Sequence, residues 1–239
     1  MKKVITKIGI AMMCGLMLFS TTGCNMSNTG KGALIGGGGG GALGAGLGAL
    51  IGKNSNNSGK GAAIGAAVGT AVGAGVGALI GNHMDKKKKQ LEEELGNNAT
   101  VEETTDQNGL KAVKVTFDGG ILFPTGKWTI NNSAQSALTQ FASSLVSDPN
   151  TNVNIYGYTD NTGTMAANQK VSTNRANAVK DYLQGKGVAV SRLTAEGIPM
   201  ADYVASNDTK EGRAQNRRVE VYISANEEMI QQAENGTLK

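Results

Sequence analysis

Glycine at every fourth position, in two copies, is the feature that most limits what the first third of this chain can become. Gly32, Gly36, Gly40, Gly44, Gly48 and Gly52 form one series, and Gly61, Gly65, Gly69, Gly73, Gly77 and Gly81 form a second. The copies are offset by 29 residues: Gly30-Lys-Gly-Ala-Leu-Ile-Gly36 returns as Gly59-Lys-Gly-Ala-Ala-Ile-Gly65, and Gly48-Ala-Leu-Ile-Gly-Lys53 as Gly77-Ala-Leu-Ile-Gly-Asn82. This is an internal duplication. On a helix each series makes one small-residue stripe, along which two backbones can approach closely in lipid. In water glycine costs ~1 kcal/mol per helical residue against alanine, so a membrane or a tight partner has to hold such a helix. Each uncharged run has about 21 residues and at ~1.5 Å per residue reaches ~30 Å, the hydrocarbon thickness of a bilayer. The polar stretch from Lys53 to Lys60 between the copies predicts a helical hairpin over residues 30–82 with both ends on one side. Three arrangements stay open: a hairpin in the membrane, a hairpin packed into a homo-oligomer, and a glycine-rich spacer. Neither copy holds an acidic residue, which argues against ion conduction.

Upstream, Met1-Lys-Lys, an apolar run from Ile8 to Phe19, and Ser20-Thr-Thr-Gly-Cys24 have the order of a secretory signal. The run is too short to span a bilayer. The end of this segment resembles a bacterial lipobox, with Thr21 where leucine is usual. The resemblance implies removal of residues 1–23, acylation of Cys24 (a palmitate or related chain), and a lipidated N-terminus over residues 24–29. Asn25, not aspartate, follows the cysteine, which implies sorting to the outer membrane. Several acyl chains hold firmly, at ~0.8 kcal/mol per buried methylene. Cys14 and Cys24 both precede the folded part, so no disulfide framework is expected there. The net charge of +4 includes Lys2, Lys3 and Lys7 of the signal and falls to about +1 without them, which leaves no nucleic-acid footprint.

Residues 83–110 read as a charged and polar linker. His83 to Leu95 predicts a short helix stopped by Gly96, its lysine run solvated or lying on anionic headgroups, and Asn97 to Asn108 reads as loose chain. The folded domain is expected over residues 111–226, with a tail at 227–239 containing a short helix from Glu227 to Glu234. Ala112 to Phe117 alternates as a strand. A helix capped by Asn132 or Ser133 carries Ala134, Leu138, Phe141 and Leu145 on one stripe and stops at Asp148-Pro149. Val153, Ile155 and Gly157 alternate with Asn154, Tyr156 and Tyr158 as the next strand. A further helix opens near Asn168, a strand covers Arg192 to Gly197, a loop with a short helix covers Asn207 to Arg213, and Arg218 to Ser224 closes the series. The order β-α-β-α-β-β predicts a mixed α/β sheet (an α+β sandwich) with helices packed against it.

Two side chains in this domain carry the chemistry. Asp160 falls at the C-terminal end of its strand, where ligands of such sheets gather. Arg175 lies four residues from both Val171 and Val179, so it points inward, where a charge costs several kcal/mol unless paired. Either the two staple strand to helix, or they form an open site for a zwitterion whose ammonium meets Asp160 and whose carboxylate meets Arg175 and the helix N-terminal amides.

Gly157-Tyr-Thr-Asp160, Asn161-Thr-Gly163, Asn168, Ser172-x-x-Arg175-Ala176 and Asn207-x-Thr209-x-x-Gly212-Arg-Ala-x-Asn216-Arg-Arg-Val-Glu220 resemble the C-terminal domain of outer membrane protein A. The resemblance runs from about Val113 to Ser224. In that family an aspartate and an arginine fifteen residues apart bind the diaminopimelate of peptidoglycan stem peptides, and Asp160 and Arg175 have that spacing. Tyr158 stands where many members have histidine. Asn168 is placed to bond the ligand or cap the helix, Thr162 and Gly163 to shape the loop, and Arg217 to add a second carboxylate clamp; alternation puts Arg217 and Arg218 on opposite faces.

The resemblance implies an outer-membrane lipoprotein with its folded domain in the periplasm. Peptidoglycan and outer-membrane lipid are its partners, and it needs no cofactor or metal. Two rivals remain: an assembly or chaperone-like factor acting through the zipper, and a wall-acting enzyme. Residues 111–226 contain no histidine or cysteine for a zinc set or a nucleophile–base pair, which counts against the enzyme.

Overall fold

The computed structural model describes residues 73–124 and 126–238. The signal segment, Cys24, the first zipper copy and most of the second lie outside the described residues. The elements are α1 (Ala74–Leu95), β1 (Thr100–Thr105), β2 (Lys111–Asp118), α2 (Gly119–Leu122), α3 (Asn132–Ser147), β3 (Thr151–Tyr158), α4 (Met165–Gly185), β4 (Leu193–Ile198), α5 (Lys210–Asn216), β5 (Arg218–Ala225) and α6 (Glu227–Glu234).

The strands form one sheet in the order β1-β2-β5-β3-β4, antiparallel throughout except for the parallel pair β3 and β4. Pleating turns Val113, Val115, Phe117, Val153, Ile155, Val219, Val221 and Ile223 to one side, where all are buried. Against them pack Leu138, Phe141 and Leu145 of α3 and Ala176, Val179 and Leu183 of α4 in a single core cluster. The mixed sheet with helices packed against it is therefore the observed architecture, and the four expected strands are β2, β3, β4 and β5.

The linker expectation is overturned. Residues 83–95 are the second half of a 22-residue helix that buries Ile80, Met84, Leu91 and Leu95 in the same core. The lysine run is not uniformly solvated: Lys87 is buried, donates to the Ser144 carbonyl at 2.9 Å and lies 3.4 Å from Asp148. His83 Nε2 also meets Asp148, at 3.0 Å. Asn97 to Asn108 is not loose chain, because it contains β1, which pairs with β2 through a tight turn. Its sequence TVEETT lacks apolar alternation because an edge strand needs only one covered face, and its glutamates meet Lys114 at 2.7 Å and Lys111 at 3.3 Å.

Two helix starts also shift. α3 is flanked by Asn131, whose side chain donates to the Ile121 carbonyl at 3.0 Å instead of capping. α4 opens at Met165, three residues before Asn168, because Thr164 Oγ1 caps it by accepting from Ala167 N. The approach of α4 to the sheet depends on glycine: a Cβ on Gly157 would lie 2.3 Å from the Ser172 carbonyl oxygen, and one on Gly197 would lie 2.4 Å from Thr173 N. At the far end of the sheet, Arg192 donates to the carbonyls of Leu145, Asp148 and Thr151, satisfying the last turn of α3.

Gly77 and Gly81, the last two glycines of the second zipper series, face Leu110 and Lys111 at the start of β2. At its described end the stripe therefore packs on the folded domain. Among the described residues no helix is long and apolar enough to cross a membrane.

Candidate ligand-binding site

The site is built where β3 ends, α4 begins, and two loops fold over both. Asp160 follows β3 and is 5% exposed. Its Oδ1 accepts from Thr162 N at 2.8 Å, and its Oδ2 accepts from Arg217 Nη1 at 2.5 Å. Burial disfavours its charge, but the Thr162 amide and the Arg217 guanidinium outweigh burial and hold the carboxyl below the usual aspartate range.

Arg175 projects inward from α4, as its spacing from Val171 and Val179 predicts, and is 4% exposed. It does not pair with Asp160. Among the described residues it forms no ion pair: Nε donates to the Lys127 carbonyl at 3.1 Å, and the guanidinium lies 5.2 Å from the centre of the Phe123 ring. Burial pushes its pKa below the ordinary arginine value, the like charge of Arg217 adds to that, and the carboxylate of Asp160 opposes it. The three groups thus feel one another, with two positive charges against one negative.

Thr162 acts through its backbone, donating its amide to Asp160 and accepting Asn168 Nδ2 on its carbonyl at 2.8 Å. Asn168 also donates to the Thr164 carbonyl at 3.1 Å, so its amide group ties the 160–164 loop to the first turn of α4. Arg217 comes to the site from the end of α5, while Arg218 turns to the opposite face, as alternation predicts. There Arg218 pairs with Glu220 at 2.7 Å and covers the Tyr158 ring at 3.9 Å from its centre. Tyr158 thus belongs to a buried cation–aromatic contact with Arg218, apart from Asp160, Arg175 and Arg217.

Sequence reasoning missed the parts that hold Arg175, namely the Phe123 ring and the Lys127 carbonyl, because both come from a loop about fifty residues away. It also gave no role to Asn216. That side chain is fully buried, accepts from Val204 N and Ala205 N, and donates to Asn207 Oδ1, which also accepts from Asn161 N. Asn216 thereby links the β4–α5 loop to the loop of Asp160. Arg213 donates to the Asn207 carbonyl at 2.6 Å and organises that same loop. No group of three or more His, Cys, Asp or Glu side chains among the described residues could hold a metal ion.

This geometry lies within residues 122–217, which match the family model described as the OmpA family. Residues 122–217 are an OmpA family domain. A second match, to the model described as glycine zipper, covers residues 39–88 and runs into α1. The OmpA family domain brings relatives with it. The probable lipoprotein YiaD of Escherichia coli is 40% identical over 104 residues, covering 44% of this chain and 48% of that protein. Peptidoglycan-binding protein ArfA of Mycobacterium tuberculosis is 37% identical over 113 residues, covering 47% of this chain and 35% of its own length. The chain thus spans less than half the length of either relative. Among solved structures, the cell wall anchor of the T6SS from Pseudomonas aeruginosa superposes with a TM-score of 0.50 at 30% identity, covering 58% of this chain and 99% of that one.

Proposed function

We propose that this protein binds peptidoglycan without covalent chemistry, through the diaminopimelate of a stem peptide, and so ties the outer membrane to the cell wall. The observation that carries this reading is Arg175: a buried guanidinium with no ion-pair partner among the described residues, beside a carboxylate already charged and a second arginine. A buried cation left over after internal pairing is costly unless a ligand anion completes it. The amino acid centre of diaminopimelate fits the set: its ammonium sits on Asp160, and its carboxylate bridges Arg175 and Arg217, drawing Arg217 off Asp160. Asn168 and Thr162 keep the loop amides in place around it. The names of ArfA and of the T6SS anchor agree with wall binding. An acylated Cys24 supplies the other attachment, and the part of the zipper that precedes α1 lies in or on the outer membrane.

The test is co-sedimentation of the detergent-solubilised full chain with purified sacculi, with free diaminopimelate as competitor. Wild-type protein should pellet and be released by diaminopimelate, and Asp160→Ala and Arg175→Ala should stay in the supernatant while remaining folded. A folded wild type that ignores sacculi would refute the reading. For the anchor, Cys24→Ser should move the protein out of the membrane fraction; unchanged fractionation would leave the zipper as the attachment.

A further inference from the structure

The loop that holds Arg175 has a second side. Its inner atoms, the Phe123 ring and the Lys127 carbonyl, are spent on the guanidinium. Its outer residues Gly126, Lys127, Trp128 and Thr129 are all exposed. Trp128 is the only tryptophan in the chain, is 39% exposed, and its indole N–H donates to no described atom. It also stands outside the core cluster and the residues packed on it. An indole presented this way, with an ammonium and a hydroxyl on either side, is suited to a ligand that has both an apolar face and polar groups.

Resting on the diaminopimelate reading above, we propose that Trp128 is a specificity residue for the amino sugar of the glycan strand, stacking on its apolar face while the stem peptide occupies Arg175. Reach supports this occupant. The Lys127 carbonyl oxygen is 3.1 Å from Arg175 Nε, which by covalent geometry puts the Trp128 Cα no more than about 6 Å from that atom. In a stem peptide about two residues separate diaminopimelate from the lactyl ether of the sugar, a span of roughly 7 Å at ~3.3–3.6 Å per residue. A ligand anchored at Arg175 therefore delivers its sugar to the rim where Trp128 stands. Lys127, exposed beside it, meets the free carboxylate of the intervening glutamate.

Because Trp128 is the sole tryptophan, its fluorescence reports on the subsite directly. Full-length wild type and Trp128→Ala and Trp128→Phe variants are titrated with diaminopimelate, with the tripeptide alanyl-γ-glutamyl-diaminopimelate, and with the same tripeptide bearing N-acetylmuramic acid. The muramoyl ligand should shift the wild-type emission and bind about tenfold tighter than the tripeptide. Trp128→Ala should erase that tenfold advantage, about 1.4 kcal/mol, without changing diaminopimelate binding, and Trp128→Phe should keep most of it. An equal loss for tripeptide and muramoyl ligand would place the indole on the peptide and overturn the sugar assignment, and so would no loss for either. If diaminopimelate binds in an Arg175-dependent way while Trp128→Ala changes nothing, only this inference falls. Wild type that binds none of the three overturns both readings.

Discussion

Replacing Arg175 by methionine separates a binding role from a structural one, because the two predict opposite balances of stability and affinity. In the folded protein the change removes a charged hydrogen bond to the Lys127 carbonyl, worth ~1.5–3 kcal/mol, and a contact with Phe123 worth ~0.5–2 kcal/mol. It also removes a buried charge with no carboxylate within ion-pair distance among the described residues, a burden of several kcal/mol, and its repulsion from Arg217. These effects nearly cancel, so stability should change by less than about 2 kcal/mol in either direction, a midpoint shift of roughly 8 °C at most. Binding has no such offset. Losing a desolvated charged partner costs ~2–5 kcal/mol, so affinity for diaminopimelate should fall roughly 30- to 4,000-fold. Calorimetric titration and thermal denaturation of the same sample read both quantities. Destabilisation beyond about 4 kcal/mol, or affinity within threefold of wild type, would refute the argument that Arg175 is held for a ligand.

A fragment beginning at residue 97 lacks α1 and exposes the seats of Ile80, Met84, Leu91 and Leu95; at ~1.5–3 kcal/mol per side chain the upper estimate is about 6–12 kcal/mol, comparable with the whole stability of a domain. It should lack a cooperative melt, whereas a fragment beginning at residue 73 should keep one; circular dichroism decides. Gly157→Ala should cost at least about 1–3 kcal/mol and weaken binding as well, since its Cβ would force α4 and Arg175 away from β3; a wild-type melting curve would contradict the close approach. Asp106, in the β1–β2 turn, accepts the amides of Asn108 and Leu110, yet burial outweighs them and raises its pKa from 3.8 to about 6. A raised acid pKa favours the protonated form in the folded state, so its contribution is full below pH 3.8 and is lost as pH rises towards about 6. Asp106→Asn should flatten that stretch of the stability–pH curve, and an unchanged slope in urea titrations would locate it elsewhere.

Local periodicity carried much of the fold. The alternation of Val153, Ile155 and Gly157, the stripe from Ala134 to Leu145 and the inward spacing of Arg175 are each set by neighbours within a turn or a strand, so the local order of residues places them. Spacing also brought Asp160 to a strand end. It could not say what Asp160 touches. Arg217 becomes its partner only because β5 lies beside β3, a pairing of residues over fifty positions apart. The same holds for α1, which reads as a charged linker because Lys86 to Lys89 obscure a stripe that closes only against the core. β1 reads as loose chain because a polar edge strand needs the neighbouring β2 to have a structure at all. Sequence therefore determined which residues carry charge and which face inward, since these follow from helix and strand periods. Tertiary structure decided which charges neutralise one another and left Arg175 over, because ion pairing depends on distances of a few ångströms between segments that the chain order does not fix.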